Sequence, residues 1–405
     1  MRIMAITGIA FAILSVLATG DVLLHWIEAN SDRIAGHSDS TRYGQSCVRP
    51  SKSCTRMVQL GEALFFDVNL SEQRAQSCST CHDPERGFID ARPDAKRGAV
   101  SLGGDGHSYG ARNAPSIAYA RFSPPFGRTI LGEFVGGQFW DGRADTLEAQ
   151  AGPPILNPVE MGMPDKARVV ARIKENEDYV AAFQEIFGPD IFTTSETAFA
   201  ALRMALAAYE RSAAVSPFDS KYDRFLQGKY EMTAQEELGR MLFFSDERTS
   251  CRHCHSSGRE GSPAETFSNY SFHNIGVPRN PIVGNTTPDH GLRDGRRLHD
   301  TGQDGRFKVP TLRNVAVTAP YMHNGVFSDL RTAVLFHNKY KSATKTDLIN
   351  PETGQQWGEA EVDRTVSVTE LGNSPANESS EIDALVAFLK TLTDKRYEHM
   401  LSPHP

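Results

Sequence analysis

Cys78, Cys81 and His82 stand in the spacing Cys-x-x-Cys-His, and the same spacing returns at Cys251, Cys254 and His255. Two thiols followed at once by an imidazole suit covalent attachment of a c-type haem. The thiols add across the porphyrin's vinyl groups, and the imidazole reaches the iron as proximal ligand. A redox or zinc-binding Cys-x-x-Cys is the competing chemistry, but neither requires the final histidine. The chain has only six cysteines, so two copies of the pattern point to two covalently bound c-type haems. The remaining pair, Cys47 and Cys54, lies in the N-terminal segment. In an oxidising compartment these two could close a small disulfide loop, free thiols being the alternative.

The elements that must position these motifs are helical. Leu60-Gly61-Glu62-Ala63-Leu64-Phe65-Phe66 reads as a short apolar-faced helix leading to the first motif. Leu238-Gly239-Arg240-Met241-Leu242-Phe243-Phe244 leads in the same wording to the second. Such an internal repeat indicates two related haem domains, expected over 57–232 and 233–405. Asp83 to Arg112 is rich in Gly, Asp and Arg and reads as a long loop, as do Ser256 to Gly305 and Lys341 to Ser379. Helices are expected over Ala144 to Ala151, Thr197 to Arg211 and Leu330 to Asn338. A closing helix is expected from the spacing of Ile382, Leu385, Val386, Leu389 and Leu392. Strand signals are weak. The fold class is therefore mainly α, with two cytochrome c-like haem domains joined and decorated by long loops.

At 405 residues, with 39% hydrophobic and 23% charged residues, the chain is long enough for two globular domains. The net charge of −7 is dispersed along the chain, which argues against nucleic acid as a partner. Arg2, the apolar run from Ile3 to Ala18 and the small and polar residues after it have the layout of a signal peptide. Residues 1–25 are thus a signal peptide or an N-terminal anchor, followed by a polar extension over 26–56. Membrane association is expected only if the first segment is retained. Export to the periplasm agrees with c-type haem attachment.

Together the two haem motifs, Phe139-Trp140-Asp141-Gly142-Arg143, Glu148-Ala149-Gln150 and Pro310-Thr311-Leu312-Arg313-Asn314 resemble the bacterial di-haem cytochrome c peroxidases, including the protein-modifying MauG branch. The resemblance runs from about Leu60 to Leu392. It implies that hydrogen peroxide is cleaved at the first haem, where Glu160 and Gln150 occupy the positions of the proton-moving pair and Pro154 lines the same pocket. It places Trp140 between the haems, where an oxidisable ring aids electron exchange. It also implies a calcium ion between the haems, held by Asn113 and by the carbonyls of Thr318 and Pro320. Oxygen-only ligands suit that ion.

The resemblance departs at the second haem. The distal ligand is methionine in the peroxidases and tyrosine in the MauG branch, nineteen residues beyond the threonine of the calcium site. Here that position is His337, which would make the second haem bis-histidine with His255; Tyr340 and Met322 are the rivals. His107 lies in the loop that closes the first haem in some members, but at a different spacing from Asn113, and is expected to be a loop residue. The leading functional reading is a periplasmic peroxidase drawing electrons from a small cytochrome c or cupredoxin. A MauG-like enzyme oxidising side chains of a protein substrate is the alternative. A non-catalytic di-haem electron carrier or redox sensor is the reading from a different class.

Overall fold

The computed structural model describes residues 51–401 apart from 257–260, 263, 286 and 342–347. The expected export segment, nearly all of the polar extension and Cys47 lie outside the described residues; Cys54 is disulfide-bonded.

The first helix, α1 (Lys52–Phe65), begins inside the segment expected to be a polar extension. Ser51 caps it, its hydroxyl accepting from Cys54 N at 3.1 Å. One face then buries Met57, Leu60, Leu64 and Phe65, the stripe an amphipathic helix turns to a core. That core is completed by α2 (Ser195–Glu210), which buries Leu202, Ala205, Leu206 and Tyr209 and matches the breaker-free run read from the sequence.

The second half repeats this arrangement. Helix α3 (Ala234–Phe244) starts with a capping box formed by Thr233 and Glu236. It packs with α4 (Leu330–Phe336) and α5 (Ser379–Lys390) around Tyr222, Leu242, Phe243, Phe267, Leu385 and Phe388. The two crossings match in detail. A Cβ on Gly61 would collide with the Ala205 carbonyl oxygen and lie 3.0 Å from Tyr209 Cβ. One on Gly239 would collide with the Ala384 carbonyl oxygen and lie 2.8 Å from Phe388 Cβ. Phe65 meets Tyr209 with ring centroids 5.0 Å apart, and Phe243 meets Phe388 at 5.2 Å. The sequence repeat Leu-Gly…Leu-Phe-Phe is thus the near side of a helix pair whose far side is Ala, then an aromatic four residues on.

Other boundaries differ from expectation. The helix expected over Ala144 to Ala151 is a single turn, Leu147–Gln150, because Thr146 caps it and Gly152 and Pro153 follow. Helix α4 stops at Phe336 and tightens into a 3-10 turn, His337–Tyr340. Lys166–Lys174 and Glu177–Phe187 are helices that the sequence reading did not name, capped by Asp165 and Asn176. The described strands form three two-residue antiparallel ribbons, including Phe272–His273 with Phe307–Lys308.

The Pro310-to-Asn314 segment is pinned from within. Arg313 is fully buried, donating to both carboxylate oxygens of Asp223 (2.6 and 2.9 Å) and to Glu265 O at 2.8 Å. Next to it Asn314 donates to Asp394 Oδ2 at 2.8 Å, while Tyr119 OH donates to Asp394 Oδ1 at 2.5 Å. Four distant stretches of chain, at Tyr119, Asp223, Arg313–Asn314 and Asp394, therefore meet through two buried carboxylates.

Gly239→Ala tests the crossing. At an exposed helical site this change should stabilise by about 1 kcal/mol. Here overpacking should reverse the sign and cost about 1–3 kcal/mol, read as a lower melting temperature by circular dichroism. A raised melting temperature would show that the helices do not touch backbone to backbone.

Candidate functional site

Each Cys-x-x-Cys forms one helical turn, Cys78–Cys81 and Cys251–Cys254, with the histidine at its C-terminal end. His82 Nδ1 lies 3.2 Å from Phe88 O, and His255 Nδ1 lies 3.2 Å from Phe267 O. A carbonyl can only accept, so the Nδ1 proton is donated there and Nε2 is left as the ligating nitrogen. Burial lowers the pKa of His82. Burial, with the neighbouring His337 acting in the same direction, pushes His255 down to about 4. Both rings are therefore neutral, the form a metal requires.

The thiols fit haem better than the alternatives. All four are unjoined. Burial pushes Cys78 and Cys254 up to about 12 and Cys81 to about 11, the opposite of a reactive redox thiol. Among the described residues no group of three or more His, Cys, Asp or Glu is arranged to hold a metal ion, so neither pair has the ligand set of a zinc site.

Cys251, Cys254 and His255 line a cavity of about 470 Å³. His337 lines it too, at the end of α4, with Nδ1 3.0 Å from Ala333 O and its pKa lowered by burial. Its ring is thus oriented in the same way as those of the two motif histidines. Tyr340 turns away and donates its hydroxyl to Ile275 O at 3.2 Å. Met322 also lines the cavity.

Around the first motif the turn Asn157 to Gly162 carries Glu160. Its backbone carbonyl accepts from Gly104 N and from Nε2 of the buried Gln76, both at 2.7 Å, which ties it to the residues just before Cys78. Glu160 Oε1 accepts from Asn157 Nδ2 at 2.8 Å. Burial raises the pKa of the Glu160 carboxyl, with Asn157 and the charge of Arg143 opposing. Its charge is one of the influences that raise the Cys81 pKa, after burial and the charge of Asp90. Pro154 holds the same turn, its carbonyl accepting from Met161 N at 3.2 Å. Gln150 is half-buried on the preceding helical turn, and no hydrogen bond joins it to Glu160. His107 is 79% exposed, with Nδ1 2.9 Å from Asp105 O and Nε2 3.2 Å from Asp105 Oδ2.

Trp140 lines the 470 Å³ cavity and also a second one of about 160 Å³, into which Asn113, Thr318 and Pro320 come together. Its Nε1 donates to Asn113 O at 2.9 Å. The side-chain amide of Asn113 donates to Gly98 O at 2.8 Å, which leaves Oδ1 as the end able to ligate. Lys308 lines both cavities as well, and its backbone N donates to Trp140 O at 2.8 Å. Its ammonium donates to Gly137 O and Ser123 Oγ, and burial pushes its pKa down to about 7. Sequence reasoning missed Gln76, Asn157 and Lys308. Only Lys308 carried a signal, a cation two residues before the Pro310 motif.

The sequence profile of the di-haem cytochrome c peroxidase family matches residues 55–231. The methylamine utilization protein MauG of Paracoccus denitrificans is 50% identical over 352 residues, covering 85% of this chain and 90% of that protein. Cytochrome c peroxidase Ccp of Escherichia coli K12 is 32% identical, covering 79% of this chain and 62% of that protein. Among solved structures, the diheme peroxidase BthA of Burkholderia thailandensis E264 superposes with a TM-score of 0.78 at 34% identity, covering 88% of this chain and 90% of that one. With the likeness to MauG and to BthA covering 85% and 88% of the chain, the chain belongs to the di-haem cytochrome c peroxidase family, a family of peroxide-using oxidoreductases with two c-type haems.

Proposed function

We propose that the protein is a MauG-type di-haem enzyme of the periplasm that uses hydrogen peroxide to oxidise tryptophan or tyrosine side chains of a partner protein. The observation that carries the peroxide chemistry is the half-buried Glu160 carboxyl, its pKa raised, on a turn tied to the residues just before Cys78, in a site whose loop histidine is turned to solvent on Asp105. The choice of branch rests on the 50% identity over 352 residues with a protein named for methylamine utilization. That likeness reverses the order expected from sequence, where a small redox donor came first. A cytochrome c or cupredoxin donor is the second reading, favoured by the absence of tyrosine at position 337. Export rests on the N-terminal sequence; among the described residues no helix is long and apolar enough to cross a membrane.

In this reading Cys78, Cys81 and His82 would hold the first haem, and Cys251, Cys254, His255 and His337 the second. The first haem would supply the iron chemistry that breaks the O–O bond of peroxide. Glu160 takes the proton from one peroxide oxygen and returns it to the other, the task of a half-buried acid whose pKa lies above the ordinary carboxylate value. Asn157 holds Oε1, and Gln76 and Gly104 hold the backbone of the turn; Gln150 and Pro154 are assigned to the same pocket by the family resemblance. Trp140 bridges the two cavities, and a calcium ion on Asn113, Thr318 and Pro320 would hold that bridge.

Glu160→Gln should slow the reaction with peroxide by about 10²–10⁴-fold with both haems retained; unchanged turnover in stopped-flow would remove Glu160 from the chemistry. Asn157→Ala should raise the Glu160 pKa further, because the lost hydrogen bond stabilises the ionised form. The acid limb of the pH–rate profile should then move to higher pH, and an unmoved or downward-moved limb contradicts the assignment. His337→Ala should leave both haems attached and convert the second from low-spin to high-spin by EPR. For the branch, stoichiometric peroxide added to the ferric protein without reductant should give a long-lived oxidised spectrum. A protein that ignores peroxide until one haem is reduced would return the donor-driven peroxidase to first place.

A further inference from the structure

Ser271, His273 and Glu370 line the cavity of His255 and His337 and have no part in the peroxide chemistry above. They form a continuous hydrogen-bonded line. His273 Nε2 is 2.8 Å from Ser271 Oγ, and His273 Nδ1 is 2.8 Å from Glu370 Oε2. Exposure rises along it, from 17% for the His273 side chain to 57% for that of Glu370. The line therefore runs from the cavity wall to solvent.

Its polarity follows from a fourth residue. Asn269 Nδ2 donates to His253 O at 2.9 Å, which turns Oδ1 towards Ser271. That oxygen accepts from Ser271 N at 3.0 Å and from Ser271 Oγ at 2.6 Å. The single hydroxyl proton of Ser271 is thereby used, so Oγ can only accept from His273 Nε2. Glu370 as a carboxylate can only accept from Nδ1. Both ring nitrogens of His273 are then donors, which is the imidazolium form. The ionisable groups that face it include Glu370, His255 and Lys308 on the paired strand, whose ammonium is turned to Ser123 and Gly137; Glu133, Asp289, His323, His337, Lys341 and Glu361 line the same cavity, His323 stacked on Phe307 opposite His273.

We propose that His273 is the redox-coupled proton site of the second haem, filled and emptied through Glu370. The proposal rests on the reading that this cavity holds the second haem. When one electron leaves that site for the first, where peroxide is the oxidant, two positive charges would face each other across a poorly screened cavity wall. One proton then passes from His273 Nδ1 to the Glu370 carboxylate and on to water. On re-reduction one electron and one proton return. Ser271 and Asn269 are positioning residues that set which way the imidazole donates.

The test is a spectroelectrochemical titration of the holoprotein from mildly acidic to mildly alkaline pH, following the low-spin haem. In the wild type its potential should fall with rising pH, with a slope approaching one proton per electron over part of the range. His273→Gln should abolish that slope with two haems per chain retained by the pyridine haemochrome assay. Glu370→Gln, at an exposed side chain, keeps the proposal testable should the first variant fail to fold. It should keep the slope but move its onset to lower pH, because the carboxylate that favours the imidazolium is gone. A flat wild-type potential, an undiminished slope in His273→Gln or an unmoved onset in Glu370→Gln overturns the proposal. A wild-type chain with one haem overturns the reading of the cavity beneath it.

Discussion

Two helix crossings without a side chain between them govern this structure. At Gly61 and at Gly239 the backbone of one helix rests on a carbonyl of its partner, at Ala205 and Ala384. Small residues at a crossing let helix axes approach, and the larger neighbours then interlock on either side. Here those neighbours are the aromatic pairs Phe65 with Tyr209 and Phe243 with Phe388. Each crossing fixes where the leading helix ends, and a short connection then delivers a Cys-x-x-Cys turn. The imidazole after the turn is steered by one more constraint, a main-chain carbonyl that takes its Nδ1 proton, from Phe88 in one half and Phe267 in the other.

The scaffold is repeated, so the difference between the two sites comes from what the loops add. In the first half the Asn157-to-Gly162 turn contributes an acid, anchored by Gln76 and Gly104. In the second, α4 ends by contributing the imidazole of His337. Burial acts on both but with opposite meaning. It raises the pKa of Glu160, so that the carboxyl holds a proton more readily, and it lowers that of His337, so that the ring stays neutral. One site is thereby suited to moving a proton and the other to holding a ligand.

What the sequence made legible divides along the same line. The helices of the crossings were readable because their apolar spacing and the Leu-Gly…Leu-Phe-Phe wording are local. Arg313 was visible only as a motif residue; that it holds Asp223 across ninety residues is a tertiary fact. The helices Lys166–Lys174 and Glu177–Phe187 went unread although each has a capping residue and an apolar face, Val169, Val170 and Ile173 in one and Phe183 in the other. Glu160 looked like a surface acid in a turn. Only the resemblance singled it out, and no local pattern announced that Gln76 and Asn157 would hold it. The gathering of Ser271, His273 and Glu370 was beyond reach, since Glu370 sits in a stretch read as a polar loop.

In the proposed reading the electron source is decided at the second site rather than the first. The Glu160 site serves either reading equally, because both begin with peroxide. What differs is how the second site tolerates loss of an electron. A tyrosinate there would offset the new positive charge with its own negative one, and a neutral imidazole at position 337 cannot. Loss of the proton on His273 would remove one positive charge from the same cavity wall at the same moment. In charge terms that substitutes for an anionic ligand, so a histidine at position 337 and a proton-releasing histidine at position 273 are complementary parts of one arrangement. On this argument the missing tyrosine weighs less against the protein-oxidising branch than its absence alone suggests.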